Sequence, residues 1–182
     1  ERFEPGNPQE GYSPSPQERQ SWLQISYMKE AYHTMGPKFT LGWMAEALYS
    51  SKNFSENYTA TMMQAGEFAP TPHSKLMYNE AFRANQYVAA GIKPIYVLND
   101  MFQFRTEFYG FTPIFPIKKN ALNKAYYGKA FSRFEYMGEV SVICQLPFGA
   151  ISAYVNHYSS PRREWNVGMT IGWQLFNYRF VE

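Results

Sequence analysis

The alternation of side chains between residues 165 and 175 constrains the fold of this chain more than any other feature. Large apolar residues occupy every second position there, and Asn, Gly, Thr and Gln occupy the positions between them. A period of two residues places one set of side chains on each face of an extended strand. The segment therefore predicts a β-strand with one apolar and one polar face.

Six further segments show the same period of two, so the chain is predicted to form seven antiparallel strands with little helix. They cover residues 23–27, 39–49, 88–98, 102–108, 134–146 and 151–155. Tight turns are expected at Gly36-Pro37, Asn99-Asp100 and Phe148-Gly149, and long polar connections at residues 51–85 and 113–130. Turns and long connections alternate along the chain, which indicates short links at one end of the sheet and long ones at the other.

Composition favours a membrane barrel within the all-β class. Aromatic residues make up 19% of the chain and charged residues 18%, while the mean hydropathy is only −0.45. The apolar positions carry Phe, Trp and Tyr, and the polar positions mix charges with Gly and Ser, as a water-filled lumen would require. We therefore expect an antiparallel transmembrane β-barrel. A soluble β-sandwich or lipocalin-like barrel that binds an apolar ligand is the alternative.

Strand number adds an expectation about the ends of the chain. Single-chain outer-membrane barrels have an even number of strands, whereas seven are predicted here. Residues 21–182 are therefore expected to form the C-terminal part of a larger barrel, with residues 1–20 as an external loop or linker. Strands from the same polypeptide or another chain would close the barrel, because an open sheet edge is not tolerated in lipid.

The predicted strand faces divide the candidate residues into two groups. The lipid-facing candidates are Phe102, Phe104, Phe108, Val140, Val142, Val155, Ile171 and Trp173. The candidates for ion pairs in the lumen are Lys93, Arg105, Glu107, Glu135 and Glu139, since charges in a barrel wall face inward.

Two hairpins give testable pairings. A three-residue loop at residues 99–101 would place Lys93 opposite Glu107, with Asn99 or Asp100 in the left-handed conformation. A two-residue loop at Phe148-Gly149 would pair three sets of apolar residues, namely Leu146 with Ile151, Cys144 with Ala153 and Val142 with Val155.

The sequence contains no motif for catalysis, metal binding or nucleic-acid binding. Asp100 is the single aspartate and lies in a predicted turn, and no Gly-x-Ser-x-Gly motif occurs. The histidines are far apart along the chain, Cys144 is the single cysteine, and the net charge is only +2. We therefore predict no catalytic, cofactor-binding or metal-binding residue and no nucleic-acid partner.

Four stretches of the chain resemble the C-terminal barrel of outer-membrane patatin-like phospholipases. They are PTPHSK at residues 70–75, FRANQYVAAGIK at 82–93, QLPFGAIS at 145–152 and GWQLFNYR at 172–179. Proteins of that family join a patatin lipase domain with a Ser-Asp dyad to a POTRA-like linker and a barrel of sixteen strands. None of the dyad motifs lies in this chain.

The resemblance implies a bacterial outer-membrane protein of the Gram-negative type. Its barrel portion would be surrounded by lipid and would anchor a lipolytic acyl hydrolase located upstream, and the parent protein could form a homodimer. Two other functions stay open: a transport or assembly barrel of the porin or surface-antigen type without an enzyme, and a soluble barrel for an apolar ligand.

Overall fold

The computed structural model describes residues 21–55, 57–160 and 165–173, except for the side chain of Trp173. Its main element is a seven-stranded antiparallel sheet in which sequence neighbours are also spatial neighbours. The strands of this sheet are β1 (Gln24–Thr34), β2 (Phe39–Ser50), β5 (Gln86–Val97), β6 (Phe102–Pro113), β9 (Glu135–Leu146), β10 (Gly149–Tyr158) and β11 (Trp165–Trp173). The predicted all-β class and the seven strands are confirmed.

The links at the two ends of the sheet differ as expected. Residues 35–38, 98–101 and 147–148 form short turns at one end. At the other end, the β2–β5 connection contains α1 (Tyr58–Gln64), the two-residue strands β3 (Gly66–Glu67) and β4 (Arg83–Ala84), and two 3₁₀ turns, Ser74–Leu76 and Glu80–Phe82. The β6–β9 connection contains the ribbon β7 (Ile117–Lys119) and β8 (Ala125–Tyr127). The expected external segment at residues 1–20 lies outside the described residues.

The β2–β5 connection folds onto one face of the sheet. We call its residues 57–85 the covering segment, the face beneath it the covered face, and the opposite face the open face. Phe68 and Phe82 of the covering segment are almost completely buried against strand residues, among them Tyr87 and Phe111. The core of this structure therefore lies between the covering segment and the covered face.

The hairpin between β5 and β6 has the predicted pairing but not the predicted turn conformation. Tyr96 pairs with Phe104 and Ile92 with Phe108, which leaves a three-residue loop at 99–101. Neither Asn99 nor Asp100 has a positive φ, so the left-handed residue was wrongly predicted. Instead, Oδ1 of Asn99 accepts hydrogen bonds from the backbone N–H groups of residues 101 and 102 at 3.0 and 2.8 Å. The Asn side chain thus closes the turn in place of a left-handed backbone.

The hairpin between β9 and β10 is shifted from the predicted pairing. Its loop is Pro147-Phe148, and the observed pairs are Leu146 with Gly149, Cys144 with Ile151, Val142 with Ala153 and Val140 with Val155. Proline has no N–H to donate to the ladder and is therefore better placed in the turn than in the strand. The register moves by two residues, so every residue keeps its predicted face and Cys144 still pairs with an apolar residue.

Candidate functional site

The open face is apolar and exposed across the sheet. The lipid-facing candidates whose side chains are described all lie there and are exposed: Phe102, Phe104, Phe108, Val140, Val142, Val155 and Ile171. The side chain of Trp173 lies outside the described part of the chain. A soluble protein rarely leaves so large an apolar surface in contact with water.

A pocket of about 270 Å³ lies on the open face at Gly138, because glycine has no side chain to fill the space between its neighbours. Rings surround it: Phe108 stacks on Tyr136 at 6.0 Å between centroids, and His157 lies 4.8 Å from Trp165. A Cβ added at Gly138 would meet only ordinary contacts at 3.7 Å. The open face therefore contains a pocket within its apolar surface.

One end of the open face is less apolar. Lys29 and His33 of β1 share this face with Trp43, because they pair with open-face residues of β2. The Lys29 Nζ lies 5.7 Å from the centroid of the Trp43 ring, and Trp43 Nε1 donates to His33 Nε2 at 3.4 Å. The β1 end of the open face can thus bind polar groups as well as contact apolar ones.

Charged residues of the seven strands are concentrated on the covered face. Eight such residues are present, and seven of them lie on that face, with Lys29 as the exception; the seven are Glu30, Glu46, Lys93, Arg105, Glu107, Glu135 and Glu139. All five ion-pair candidates predicted from the sequence are among them. The two faces of the sheet therefore differ in charge.

The ion pairs differ in part from the predicted ones. Lys93 lies on the same face as Glu107, and the strand pairs around it place the two across from each other. The predicted position of Lys93 opposite Glu107 is thus confirmed, but its ammonium forms an ion pair with Glu30 of β1 and not with Glu107. Glu107 is bound by its own strand neighbour instead, since Arg105 Nε lies 2.8 Å from its carboxylate. A lysine side chain is long enough to reach past β2 to the more exposed carboxylate.

Tyrosine hydroxyls donate hydrogen bonds to two carboxylates of the covered face. Tyr109 donates to Glu107 and Tyr87 donates to Glu46, each at 2.5 Å. Tyr109 fits beside β5 only because Gly91 has no side chain, since a Cβ there would lie 2.1 Å from the tyrosine ring. Gly91 of β5 and Tyr109 of β6 are therefore complementary in size.

Glu135 and Glu139 lie four residues apart on β9 but have different surroundings. The Glu135 carboxylate accepts from the Ser159 hydroxyl and lies 3.8 Å from Arg133 Nε. Glu139 is buried directly opposite Glu107, and its Oε2 makes no hydrogen bond. Glu135 thus has partners for its charge, whereas one oxygen of Glu139 has none among the described residues.

The covering segment is fixed to the covered face by aromatic and polar contacts. His73 Nδ1 lies 2.9 Å from the Tyr158 hydroxyl, and its ring also contacts Tyr154 at 5.7 Å between centroids. Burial lowers the pKa of His73, because a charged imidazole would lose its hydration there. At the other end of the segment, Arg83 forms an ion pair with Glu67, and its guanidinium lies over the ring of Tyr78. The segment is therefore an ordered part of the fold.

Sequence reasoning missed the contribution of the covering segment to the covered face. Phe68, His73 and Phe82 lie in a long polar connection that has no period of two. Glu30 and Asn156, by contrast, occupy positions whose strand parity could have placed them on the covered face. The connection carries no comparable signal, because its apolar residues are irregularly spaced.

The described residues contain no cluster of three or more His, Cys, Asp and Glu side chains suited to a metal ion. No helix in the described ranges is long and apolar enough to cross a membrane. No protein-family model, curated protein or solved structure matches this chain. The contrast between the two faces of the sheet is therefore the main structural indication of function.

Proposed function

We propose that this chain is part of a bacterial outer-membrane β-barrel, with the open face toward lipid and the covered face toward the lumen. The observation that carries the proposal is the distribution of charge: seven of eight strand charges lie on the covered face, while the large apolar residues on the open face are exposed. This is the alternation of a barrel wall rather than that of a soluble sheet.

The edges of the sheet support the same proposal. β1 and β11 each have one hydrogen-bonded neighbour within the described residues. An unpaired strand edge in hydrocarbon would leave backbone N–H and C=O groups without partners, which is very unfavourable. Additional strands, up to the sixteen that the patatin-like phospholipase resemblance implies, would pair with both edges and close the barrel. A homodimer through the parent protein is a further part of that resemblance.

Within this proposal, the barrel anchors a patatin-like lipolytic acyl hydrolase that lies upstream in the same polypeptide. The support is the resemblance of the four stretches named above. Hydrolysis of a short-chain acyl ester by the full polypeptide, with loss of activity when the serine of an upstream Gly-x-Ser-x-Gly motif is changed to alanine, is the expected result. A full polypeptide without such a motif would contradict the anchoring role.

A transport or assembly barrel without an enzyme is the second candidate. The buried charges and the ordered covering segment favour it, because polar groups and inward-folded loops line the lumens of such barrels. The soluble barrel is less well supported. The covered face of the described residues is filled by the side chains of Phe68, Phe82 and their ring neighbours, where an apolar ligand would have to bind.

The single cysteine offers a direct test of the open face. Cys144 lies between Phe102 and Ile151 on that face. In lipid vesicles, a water-soluble maleimide should react with Cys144 far more slowly than with the control Asp100→Cys in a Cys144→Ser background, because residue 100 is exposed in a turn. Both should react at the same rate in denaturant. Equal rates in vesicles would refute the lipid-facing assignment.

A further inference from the structure

A polar row crosses three neighbouring strands on the covered face. Glu107 on β6 lies directly opposite Glu139 on β9, which lies directly opposite Asn156 on β10. Their exposed fractions are 3%, 4% and 2%. Two carboxylates and an amide are therefore held side by side in the interior.

The charges around this row do not cancel. Arg105 binds Glu107, and Lys93 binds Glu30, whereas Oε2 of Glu139 makes neither a hydrogen bond nor an ion pair within the described residues. A buried carboxylate oxygen without a partner is disfavoured. With Glu139 ionised, the row therefore holds one negative charge more than the surrounding side chains neutralise.

Asn156 gives an independent sign of a missing partner. Its side chain is almost completely buried, yet neither Oδ1 nor Nδ2 makes a hydrogen bond with any residue that the structure describes. The amide lies beside Glu139, as does the hydroxyl of Thr71 from the covering segment. The Thr71 hydroxyl donates to Ser74 Oγ at 3.1 Å and accepts from the Ser74 N–H at 3.2 Å, which leaves one of its two oxygen lone pairs to act as a ligand.

We infer that Glu139, Asn156 and Thr71 bind a monovalent cation, Na⁺ or K⁺. Carboxylate, amide and hydroxyl oxygens are hard ligands of the kind that such cations take. A single charge matches the single uncompensated carboxylate, and the nearby Arg105 guanidinium disfavours a divalent ion. The cation would join the covering segment to two strands of the sheet. The site lies on the covered face and does not depend on what contacts the open face.

Amide hydrogen exchange of the folded full chain tests this inference. The reporters are four amides of the turn that contains Thr71, whose N–H groups are hydrogen-bonded in the structure: Thr71, Ser74, Lys75 and Leu76. Exchange is compared in NaCl, KCl and choline chloride at equal ionic strength, so that screening is constant. We expect exchange to be about fivefold slower in at least one of the two alkali salts than in choline chloride, when the cation concentration is about four times its dissociation constant.

Variants separate ligation from packing. Glu139→Gln and Asn156→Leu should each abolish the difference between the alkali salt and choline chloride. The matched control is Glu135→Gln, which removes a carboxylate from the same face of the same strand but one that already has partners. It should keep the difference. If Glu139→Gln fails to fold, the Asn156→Leu result decides.

Three outcomes would overturn the inference. The first is equal exchange of the unmodified chain in all three salts, which is expected if Glu139 is instead protonated. The second is a difference that persists in Glu139→Gln or in Asn156→Leu. The third is slowing by CaCl₂ but by neither alkali salt, which would exclude a monovalent ion.

Discussion

The open and covered faces are formed by alternate residues of the same seven strands, but they differ in what surrounds them. Side chains on the open face are mostly apolar, and no described part of the chain forms a layer above them. On the covered face, aromatic and charged side chains of the central strands are packed beneath the covering segment. Strand β6 illustrates the contrast, since Phe108 is half-exposed while its neighbours Glu107 and Tyr109 are buried. On β6 the burial of a residue thus follows its face and not its polarity.

The largest expected effect is on the packing of the covered face. Phe82 is 1% exposed and contacts the rings of Phe111 and Tyr158 at 5.6 and 6.0 Å. Phe82→Ala should lower the free energy of unfolding by about 3–5 kcal/mol, because it leaves a cavity. The matched open-face change Phe108→Ala should cost less than half as much, since no cavity forms at a half-exposed side chain. Equal losses in urea titrations would remove the contrast between the faces.

A charge introduced on the open face tests what that face contacts. Val142→Arg should destabilise the folded state in bilayers by about 2–4 kcal/mol if the residue lies near the midplane of the membrane. Thr170→Arg, at an exposed position of the covered face on β11, should cost less than about 1 kcal/mol. Folding of Val142→Arg with wild-type stability would contradict the lipid-facing orientation.

Two lysines on opposite faces sharpen the comparison. Lys93 is buried and bound to Glu30, whereas Lys29 lies over Trp43 on the open face. Lys93→Met should cost about 1–2 kcal/mol of unfolding free energy, because it leaves the partly exposed Glu30 without its cation. Lys29→Met should change the stability by less than about 0.5 kcal/mol. Chemical denaturation of the two variants under identical conditions decides, and a larger loss for Lys29→Met would argue against the buried ion pair.

The smallest effect concerns pH and the covering segment. Because burial lowers the pKa of His73, the unfolded chain binds a proton more readily than the folded one. The stability that depends on neutral His73 is therefore complete above the ordinary histidine pKa and falls as the pH drops below it. Hydrogen exchange around residues 71–76 should accelerate on acidification, and His73→Gln should flatten this dependence. His33→Gln on the open face is the control and should leave it unchanged.

Strand positions, strand count and face assignment were readable from the sequence because each depends on local backbone geometry. The period of two in residues 39–49 or 134–146 requires only that successive side chains point to opposite sides of an extended chain. Even the shifted β9–β10 hairpin kept its faces, since the displacement preserved parity. The exposed apolar residues and the buried charges could be separated in this way without knowledge of the tertiary structure.

Contacts between distant segments were decided only by the tertiary structure. The partner of Lys93 depended on how far a flexible side chain reaches across β2, and the turn at Asn99 depended on which hydrogen bonds could replace a left-handed residue. The packing of Phe68 and Phe82 against β5 and β6 required the long connection to fold back, and irregularly spaced apolar residues carry no periodic signal of such a fold. Local periodicity specifies which face a strand residue occupies, whereas the element that covers this face is specified by long-range packing.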